Sequence, residues 1–408
     1  MKGRLVVQKF GGSSVANVER IQNVAKRVAA YRKNGDNLIV VVSALGDTTD
    51  ELIELAARIN SNPSEREMDM LLSTGEQISV ALLAMAIHKL GYEAISMTGL
   101  QVGIITDRSH TRARILKINP AKVRAELEKG RIVIVAGFQG VTAEQDITTL
   151  GRGGSDLTAV ALAKELKADE CEIYTDVEGI FTTDPRIEPS ARKLSAITYD
   201  EMLEMASLGA QVMQARSIEV AKKFDVPIHV RSSFSDKPGT MIIREVKDME
   251  ELMVSGITLN KNEAKVTVCG LQDQPGIAAK IFSLMAEKSI NVDMIVQNVS
   301  HLRKTDISFT VAKSDLARAV KLAKEAAANV GAGEILQDDD IARISVIGVG
   351  MKSHPGVAAM MFAALAADNI NIDMISTSDI SISCIIKKKS AEEAVRILHD
   401  KFGMSKKK

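Results

Sequence analysis

The first 245 residues alternate strand-like and helix-like patterns of apolar positions. Unbroken apolar runs such as RLVVQKF, NLIVVVSA and RIVIVAGF are typical of strands covered on both faces, and EAISM, ECEIYTD and a last strand, PIHVRSS, extend the series. Helical spacing places Val18, Ile21, Val24 and Val28 on one face, and it recurs in EMDMLLSTGEQISVALLAMAIHKL, PAKVRAELEKG and SDLTAVALAKELKA. This alternation predicts an α/β/α sandwich with a mostly parallel sheet.

The rest of the chain contains an internal repeat. The segment CGLQDQPGIAAKIFSLMAEKSINVDMI aligns without gaps to VGMKSHPGVAAMMFAALAADNINIDMI, 80 residues later. Each copy predicts the order strand, Pro-Gly loop, helix, strand, strand, helix, with KVTVCGL paired with DISFTV and RISVIGV with ISISCII. That order is typical of ferredoxin-like βαββαβ modules. The expected domains are 1–245 for the α/β domain, 246–263 for a linker with an accessory strand, and 264–338 and 342–408 for the two modules.

Composition narrows the functional class. Lys+Arg and Asp+Glu are both 52 of 408 residues, so a nucleic-acid-binding surface is not expected as the main function. No apolar run of about 18 residues and no signal peptide is apparent, which predicts a cytoplasmic protein without a membrane span. The three cysteines, Cys171, Cys269 and Cys384, are far apart, and we expect buried, reduced thiols.

The first chemical motif is Lys9-Phe10-Gly11-Gly12-Ser13-Ser14. It follows a strand and leads into a helix, where adjacent glycines let the backbone approach an anion and the helix start supplies free N–H groups. The order differs from the P-loop, because the lysine precedes the glycines. A purely structural turn is the alternative, but a lysine at the strand end favours a phosphate site.

The second motif, Gly151-Arg152-Gly153-Gly154-Ser155-Asp156, also precedes a helix. An arginine, a serine and an acid among three glycines are more than a turn requires, and arginine grips a carboxylate or phosphate in a bidentate manner. Two such loops at the carboxyl edge of one parallel sheet would bring a phosphate donor and an anionic acceptor together, as phosphoryl transfer requires.

Two further features are ambiguous when taken alone. Thr175-Asp176 ends a strand and is followed by residues 181–186, FTTDPR, which an Asx or proline turn would also explain. Glu76 lies in LSTGEQIS, a predicted break before an apolar helix, where an exposed acid at a helix start would be unremarkable. The six histidines show no paired spacing, so no His-based catalytic arrangement is predicted.

Together these motifs resemble the amino-acid kinase family, and within it the aspartate kinases. The resemblance rests on KFGGSSV, SALGDTTDEL, LLSTGEQIS, TLGRGGSDLTAVALA, IYTDVEGIFTTDPR and VPIHVRSSF, in the family's order, and on a C-terminal pair similar to tandem ACT domains. It implies ATP-dependent phosphorylation of the aspartate side chain, with ATP and Mg²⁺ as cofactors and with lysine, threonine or both as feedback effectors. A carboxylate acceptor is already ionised at neutral pH and needs no strong general base.

The resemblance also assigns roles to individual residues. Lys9 and Asp156 are implied to be catalytic. The implied ATP contacts are Lys9, Gly11, Gly12, Ser13, Ser43, Thr175, Asp176, Phe181, Asp184 and Arg186. The implied aspartate contacts are Thr49, Glu76 for the ammonium group, Arg152 for the α-carboxylate, and Ser155. No dedicated protein ligands for the metal are predicted, since Mg²⁺ binds mainly the phosphates and water.

The Pro-Gly loops of the two repeats open helices whose free N–H groups suit an amino acid's carboxylate. The effector contacts expected there are Asp273, Gly276, Ile277, Asn291, Asp293, Gln297, Val357, Asn371 and Asp373. Ser353 stands where the first repeat has Asp273, so the copies are not expected to be equivalent, and the second could instead only complete the first by packing. Exposed sheet edges predict a homo-oligomer.

Three alternatives remain open from the sequence. An enzyme of the same fold could act on glutamate, N-acetylglutamate, carbamate or UMP, although Glu76 and Arg152 favour an unblocked amino acid. A regulatory amino-acid-binding protein with an inactive kinase domain is disfavoured by the intact Lys9, Arg152 and Asp156. An internal start at Met249 or Met253 would add a shorter regulatory chain.

Overall fold

The computed structural model describes residues 3–210, 212–246, 253–299, 304–330, 333–352, 354 and 356–405. The chain separates into two units. The first comprises Met1–Ile180, Lys193–Ala206 and Gln211–Lys247, and the second comprises Phe181–Arg192, Ser207–Ala210 and Asp248–Lys408. Met249 lies outside the described residues, as does Ser353.

The first unit alternates strands with helices, as its apolar pattern predicts. Its strands are β1 (Leu5–Phe10), β2 (Asn37–Val42), β3 (Ala94–Met97), β4 (Ile104–Thr106), β5 (Ile115–Ile118), β6 (Ile132–Ala136), β7 (Gln139–Val141), β8 (Ile147–Thr149), β9 (Glu170–Thr175), β10 (Ala196–Thr198), β11 (Ile228–Ser232) and β12 (Thr240–Ile243). Its helices are α1 (Val18–Lys33), α2 (Thr48–Ile59), α3 (Glu65–Lys89), α4 (Gly99–Val102), α5 (Ala121–Glu128), α6 (Gly154–Leu166), α7 (Tyr199–Ser207) and α8 (Ala215–Phe224).

The main sheet has eight strands in the order β10-β12-β11-β9-β1-β2-β6-β3. Its central strands β9, β1, β2 and β6 are parallel, and every residue of β2 and β6 is buried, as expected for apolar strands covered by helices on both faces. Strand β1 is flanked by β2 on one side and by the much later β9 on the other. The carboxyl end of β1 is therefore a topological switch point, where ligands of open α/β sheets bind.

Three details of the first unit differ from the sequence-based predictions. Strand β11 is not the last, because β12 follows and pairs with it in the antiparallel direction. A second sheet, β5-β4-β7-β8, was not predicted, since its strands are only three or four residues long. Val18 belongs to the predicted apolar stripe of α1 but is 68% exposed, because it is the first residue of the helix.

Helix α3 runs without interruption from Glu65 to Lys89, so the break predicted around Glu76 is wrong. Leu83 and Ile87 of α3 join the apolar core beneath the sheet. Of the described helices, α3 is the one with the length and apolarity of a membrane span, but half of its most apolar window is buried in the unit. A core helix of a soluble protein meets the same criteria.

The second unit consists mainly of two four-stranded sheets, each with two helices. Its strands are β13 (Gly256–Asn260), β14 (Glu263–Gln272), β15 (Ile295–Val299), β16 (Lys304–Ala312), β17 (Ile335–Asp338), β18 (Ile341–Ile347), β19 (Met374–Thr377) and β20 (Ser381–Lys387). Its helices are α9 (Ile277–Glu287), α10 (Leu316–Val330), α11 (Val357–Ala367) and α12 (Ala391–Lys401). The predicted pairings β14 with β16 and β18 with β20 are confirmed, and both are antiparallel.

The two repeats complete their sheets differently. The first sheet has the order β15-β16-β14-β17, all from one stretch of chain. The second has the order β13-β18-β20-β19, so its outer strand β13 comes from before the first repeat. The first module is thereby inserted into the second. Cys171 and Cys384 are buried as predicted, whereas Cys269 is only half-buried, and all three are free thiols.

Candidate active site

The glycine-rich turn after β1 is wedged between two neighbouring strand ends. The N–H of Gly11 donates to the carbonyl of Tyr174 in β9 (3.3 Å), and the N–H of Gly46 donates to the carbonyl of Gly12 (3.1 Å). A Cβ at Gly12 would lie 2.9 Å from the Gly46 carbonyl oxygen, so the close approach requires glycine. The short 3-10 helix Gly12–Val15 follows directly and contains Ser13.

Ser43 lies at the end of the next strand, and its N–H donates to the carbonyl of Phe10 (3.1 Å). The backbone of Ser43 is thereby fixed beside Gly11 and Gly12. Thr49, six residues further on, is in the first turn of α2 and is partly exposed. The two loops after β1 and β2 form one surface at the carboxyl edge of the sheet, as the parallel pairing requires.

Lys9 and Asp156 form a nearly buried ion pair at this edge. The Lys9 Nζ lies 2.6 Å from an Asp156 carboxylate oxygen, and the two side chains are 12% and 6% exposed. Asp156 is in the first turn of α6, next to the buried Ser155. Ser155 in turn touches the end of β6, since a Cβ at Gly137 would lie 2.6 Å from its Oγ. The structure thus brings the predicted lysine into contact with the second glycine-rich motif.

Glu76 is the most unusual group of the edge. It is 3% exposed in the middle of α3, and its Oε1 accepts the N–H of Ala44 (3.1 Å). Its Oε2 is buried and makes no hydrogen bond to any described residue. Burial raises the pKa of Glu76 to about 7, against which hydrogen bonding acts only in part. The sequence suggested an exposed acid at a helix start, and the continuous helix explains why it is buried instead.

Arg152 is not brought into the Lys9–Asp156 cluster. Its side chain is 91% exposed and its Nη2 lies 3.2 Å from an Asp50 carboxylate oxygen on α2. An exposed pair of this kind contributes little to stability. The expected contact of Arg152 with an α-carboxylate therefore stays a prediction, and it requires that the Asp50 contact be exchanged for a ligand.

The predicted adenosine residues fall in both units. In the first unit, Thr175 is the last residue of β9 and Asp176 follows it, and the Thr175 hydroxyl donates to the Asp176 carboxylate (3.1 Å). In the second unit, Asp184 accepts the Arg186 N–H (2.9 Å) in an Asx turn, and it also holds the Arg186 guanidinium. Hydrogen bonding to Arg186 lowers the pKa of Asp184. Phe181 is partly exposed, next to these residues in the chain.

The segment Phe181–Arg192 is bonded to the second repeat within its own unit. The Thr182 hydroxyl lies 2.9 Å from His399 Nε2 of α12, and the Thr182 carbonyl accepts the Ile257 N–H of β13 (2.7 Å). Ile187 packs against the apolar core of the same module. The segment is therefore a part of the repeat region by contact, although the sequence places it in the first domain.

The expected effector residues lie in or next to the stretches that lead into α9, β15, α11 and β19. Gly276 and Gly356 precede α9 and α11 with φ of +91° and +107°, a conformation that favours glycine. The side chains of Ile277 and Val357 are buried, so only their backbone is available to a ligand. The other expected contacts are at least partly exposed: Asp273, Asn291, Asp293, Gln297, Asn371 and Asp373.

Two of these acids already have partners in the opposite repeat. An Asp293 carboxylate oxygen lies 4.0 Å from the Arg343 guanidinium, and Asp373 lies 3.7 Å from Lys265. The Asn291 amide donates to Asp293 (2.8 Å). Asp273 is exposed and directly follows β14.

A possible metal cluster lies elsewhere in the first unit. Among the described residues, Glu170, Glu172 and His229 have ligand atoms within 4.8 Å of one another. Their carboxylates already bond to Arg4, Arg231 and His229 itself. These contacts account for the cluster, which begins at the opposite end of β9 from Thr175.

Comparison with known proteins agrees with this geometry. The sequence profile of the amino acid kinase family matches residues 4–232, and that of an ACT domain matches residues 266–326 and 344–402. The chain belongs to the amino acid kinase family. It is thus an enzyme of the phosphotransferase class, with an α/β kinase fold followed by ACT domains, and the fold predicted from the sequence is confirmed.

Relatives within the family carry the name aspartokinase. The chain is 54% identical over 402 residues to the aspartokinase of Pseudomonas aeruginosa, covering 98% of each protein. Among solved structures, it resembles Escherichia coli aspartokinase III in complex with aspartate and ADP, with a TM-score of 0.81, 25% identity, and coverage of 97% and 99% of the two chains. The lysine- and aspartate-bound form of that enzyme matches with a TM-score of 0.75, 25% identity, and coverage of 98% and 99%.

Asp69 lies on α3 two helical turns before Glu76 and belongs to none of the motifs described above. Asp69 is fully buried and accepts hydrogen bonds from the segment before β5 and from the end of β8. The sequence offers one signal for Asp69: it is a charged residue on an apolar helix, seven positions before Glu76. That spacing places both residues on the same face of the helix.

Proposed function

We propose that this chain transfers the γ-phosphoryl group of ATP to the side-chain carboxylate of aspartate, giving 4-phosphoaspartate and ADP. The observation that carries this proposal is the buried carboxylate of Glu76, whose Oε2 has no partner among the described residues. Such a group is costly unless a cation neutralises it. The ammonium group of a free amino acid is a cation of suitable size, and a relative at 54% identity is an aspartokinase.

The roles of the other side chains follow from their charges. The aspartate carboxylate oxygen attacks the γ-phosphorus, and the bond from the γ-phosphorus to the bridging oxygen of ADP breaks. Lys9 would stabilise the charge that accumulates on the phosphoryl oxygens. Asp156 would hold the Lys9 Nζ in place, since the two groups are 2.6 Å apart. Arg152 and Glu76 would bind the two ends of the amino acid, with Thr49 and Ser155 beside them.

The residues present fit a nucleotide with its metal. The N–H-rich turn at Gly11, Gly12 and Ser13 suits phosphate oxygens, with Ser43 next to it. We assign the adenosine to Thr175, Asp176 and the segment with Phe181, Asp184 and Arg186, which the likeness to an enzyme that binds ADP supports. Mg²⁺ would neutralise phosphate charge when bound, held mainly by the phosphates and by water.

We further propose that the ACT domains make the activity sensitive to lysine, threonine or both. The E. coli enzyme binds lysine in its T-state. The hydrogen bonds of Phe181–Arg192 to β13 and α12 offer a route within one unit from an effector module to the proposed adenosine segment. The protein would act in the cytoplasm, as a homo-oligomer, at the first step of lysine, threonine and methionine biosynthesis.

The test is a coupled assay of ADP release with MgATP and a panel of acceptors: aspartate, glutamate, N-acetylglutamate, carbamate and UMP. We expect turnover with aspartate alone. Glu76→Gln and Arg152→Lys should each raise the aspartate KM by about tenfold or more with little change in the ATP KM. Glutamine lacks the negative charge that would bind the ammonium group, and lysine cannot replace a bidentate arginine. Turnover of another acceptor, or variants that raise the aspartate KM and the ATP KM equally, would contradict the proposal.

A further inference from the structure

Asp69 is a buried acid with four hydrogen bonds from two separate segments of the first unit. Its carboxylate accepts the Thr149 hydroxyl (2.5 Å) and the Thr111 backbone N–H (3.0 and 3.1 Å to the two oxygens). It also lies 2.7 Å from His110 Nδ1. Asp69 is 0% exposed, so among the residues that the structure describes these bonds are what satisfies its two oxygens.

The two segments that Asp69 holds meet next to the second glycine-rich motif. Thr149 ends β8, three residues before Arg152, and its carbonyl accepts the Ala113 N–H (2.9 Å). The Arg216 side chain closes the same junction by donating to the carbonyls of Leu150 (2.7 Å) and Ala113 (3.0 Å). The backbone that enters the Arg152 loop is therefore fixed by a carboxylate on one side and a guanidinium on the other.

The backbone at Thr111 is strained. Its φ is +63°, in the left-handed region that a β-branched residue rarely adopts because the conformation is unfavourable for it. The Thr111 N–H is the group that both Asp69 oxygens accept. The Asp69 contact therefore holds in place a conformation that the sequence itself disfavours.

Asp69 and Glu76 lie on the same face of α3, two turns apart, which is about 10 Å along the helix axis. One rigid helix thus carries Glu76 and also anchors the approach to Arg152. If Glu76 and Arg152 bind opposite ends of one amino acid, the separation between them is set through Asp69. A change at Asp69 would then alter that separation without touching the ATP residues.

We infer that Asp69, with Thr149 and His110, is a positioning residue for the amino-acid substrate. It fixes the loop of Arg152 relative to Glu76, so that both ends of the acceptor are bound at once. This inference rests on the proposed function. A positional error of this kind should weaken the binding of the acceptor selectively, because the four hydrogen bonds of Asp69 go to Thr149, Thr111 and His110 and not to the loops at Gly12 and Ser43.

The decisive experiment compares Thr149→Val with Thr149→Ser in the full-length protein. Valine keeps the shape and removes the hydroxyl, while serine restores the bond to Asp69. We expect Thr149→Val to raise the aspartate KM about tenfold with the ATP KM within twofold, and Thr149→Ser to be close to wild type. Asp69→Asn should behave like Thr149→Val if it folds, and His110→Asn, which keeps a donor near Nδ1, should be milder than His110→Ala.

Glu126→Gln is the matched control, because Glu126 on α5 is another buried acid of the first unit, 6% exposed, but is paired with Lys129 and Arg131, which follow that helix. It should leave the aspartate KM unchanged. The inference is wrong if Thr149→Val keeps the aspartate KM within twofold of wild type, if Thr149→Ser does not restore the wild-type aspartate KM, or if Thr149→Val raises the aspartate KM and the ATP KM equally. Failure of the wild-type protein to phosphorylate aspartate would instead refute the proposed function itself.

Discussion

Buried charge is handled in two ways at the edge of the sheet. Lys9 and Asp156 neutralise each other at 2.6 Å, so burying them leaves no isolated charge. Glu76 has no cationic partner in the described part of the chain, and its pKa is raised to about 7 by burial. A shift of that size from 4.5 corresponds to about 3 kcal/mol of stability lost when the carboxyl ionises. A residue kept at this cost is a strong candidate for ligand binding.

The pKa of Glu76 predicts how aspartate binding depends on pH. If the ammonium group binds the ionised carboxylate, the aspartate KM should fall about tenfold per pH unit as the pH rises toward 7, and level off above it. The ATP KM should not follow. Glu76→Gln should remove this dependence, because its side chain does not titrate. A wild-type aspartate KM that is constant between pH 5.5 and 8 would contradict the assignment.

Glu76→Gln should also change how the free energy of unfolding depends on pH. Above pH 7, Glu76 is ionised in both the folded and the unfolded protein, and the cost of its buried charge is fully present. Between its unfolded pKa of 4.5 and about 7 the folded state binds the extra proton, so stability falls as the pH rises through that window. Relative to wild type, Glu76→Gln should gain about 2 kcal/mol more at pH 8 than at pH 5. Urea unfolding without ligands measures this difference, and a gain independent of pH would contradict it.

Lys9 is predicted to act on the transition state. Lys9→Met keeps the length of the side chain and removes its charge, so kcat should fall by roughly 10²-fold or more with little change in the aspartate KM. Lys164→Met is a suitable control, since Lys164 is an exposed lysine of α6, the helix that carries Asp156. A Lys9→Met enzyme with kcat within threefold of wild type would remove Lys9 from the mechanism.

At the scale of elements, strong patterns in the sequence predicted most of the fold. Strands such as β2 and β6 are predictable because each is an unbroken apolar run and is buried. The repeat is predictable because its two copies align without gaps at an offset of 80 residues. The sheet β5-β4-β7-β8 was missed because strands of three or four residues have too few positions to show a period. The break predicted in α3 was wrong because Gly75 packs on Ala44, so a tertiary contact overrides its low helix propensity.

The candidate site was predictable to a similar extent. The two glycine-rich motifs predict that Lys9 and Asp156 lie at the same edge of the sheet, because parallel strands end together. No pattern in the sequence predicts that the two side chains form an ion pair. The burial of Glu76 depends on the packing of α3 against the loop after β2, which local sequence does not encode. Asp69 was missed for the same reason, since its partners are about 40 and 80 residues away along the chain.

The connection of Phe181–Arg192 to α12 gives a prediction at this scale. Thr182→Val keeps the shape but removes the hydroxyl that faces the buried His399, whose pKa is lowered by burial. We expect a loss of about 1–3 kcal/mol in stability and, if the segment holds adenosine, a larger rise in the ATP KM than in the aspartate KM. Thr258→Val in β13 is the control, because its buried hydroxyl has no partner among the described residues and its removal should be neutral. Equal effects of the two variants on both KM values would contradict the proposed connection.

At the scale of the whole molecule, the two repeats are joined by charges at equivalent positions. Glu263 and Arg343 are 80 residues apart, and their side chains form a buried ion pair at 2.6 Å. Met294 and Met374, also equivalent, share an apolar cluster. Contacts between equivalent positions indicate an approximate two-fold relation between the modules. The symmetry is incomplete, since Ser345 stands where the first repeat has Lys265.

This asymmetry supports unequal effector sites. The acids Asp293 and Asp373 each face a cation of the other repeat, so both contribute to holding the modules together. Asp273 is different, because it is exposed beside the Pro-Gly loop of the first repeat, while Ser353 at the equivalent position lies outside the described residues. An effector ammonium group would find an acid at only the first of these two positions.

Asp273→Ala should therefore lose most inhibition by lysine and threonine, given singly or together, while keeping near-normal activity without them. Inhibition requires that the effector bind a less active arrangement more tightly, so loss of one contact to the effector reduces inhibition without altering the uninhibited rate. Ser353→Ala is the matched control and should stay sensitive. A chain truncated after Arg244 should not respond to either amino acid. It also loses the β13 and α12 partners of Phe181–Arg192, so its ATP KM should rise. The point variants therefore give the cleaner comparison. Initial rates at increasing effector concentration measure the effect, and an Asp273→Ala enzyme inhibited like wild type would exclude Asp273 from the effector site.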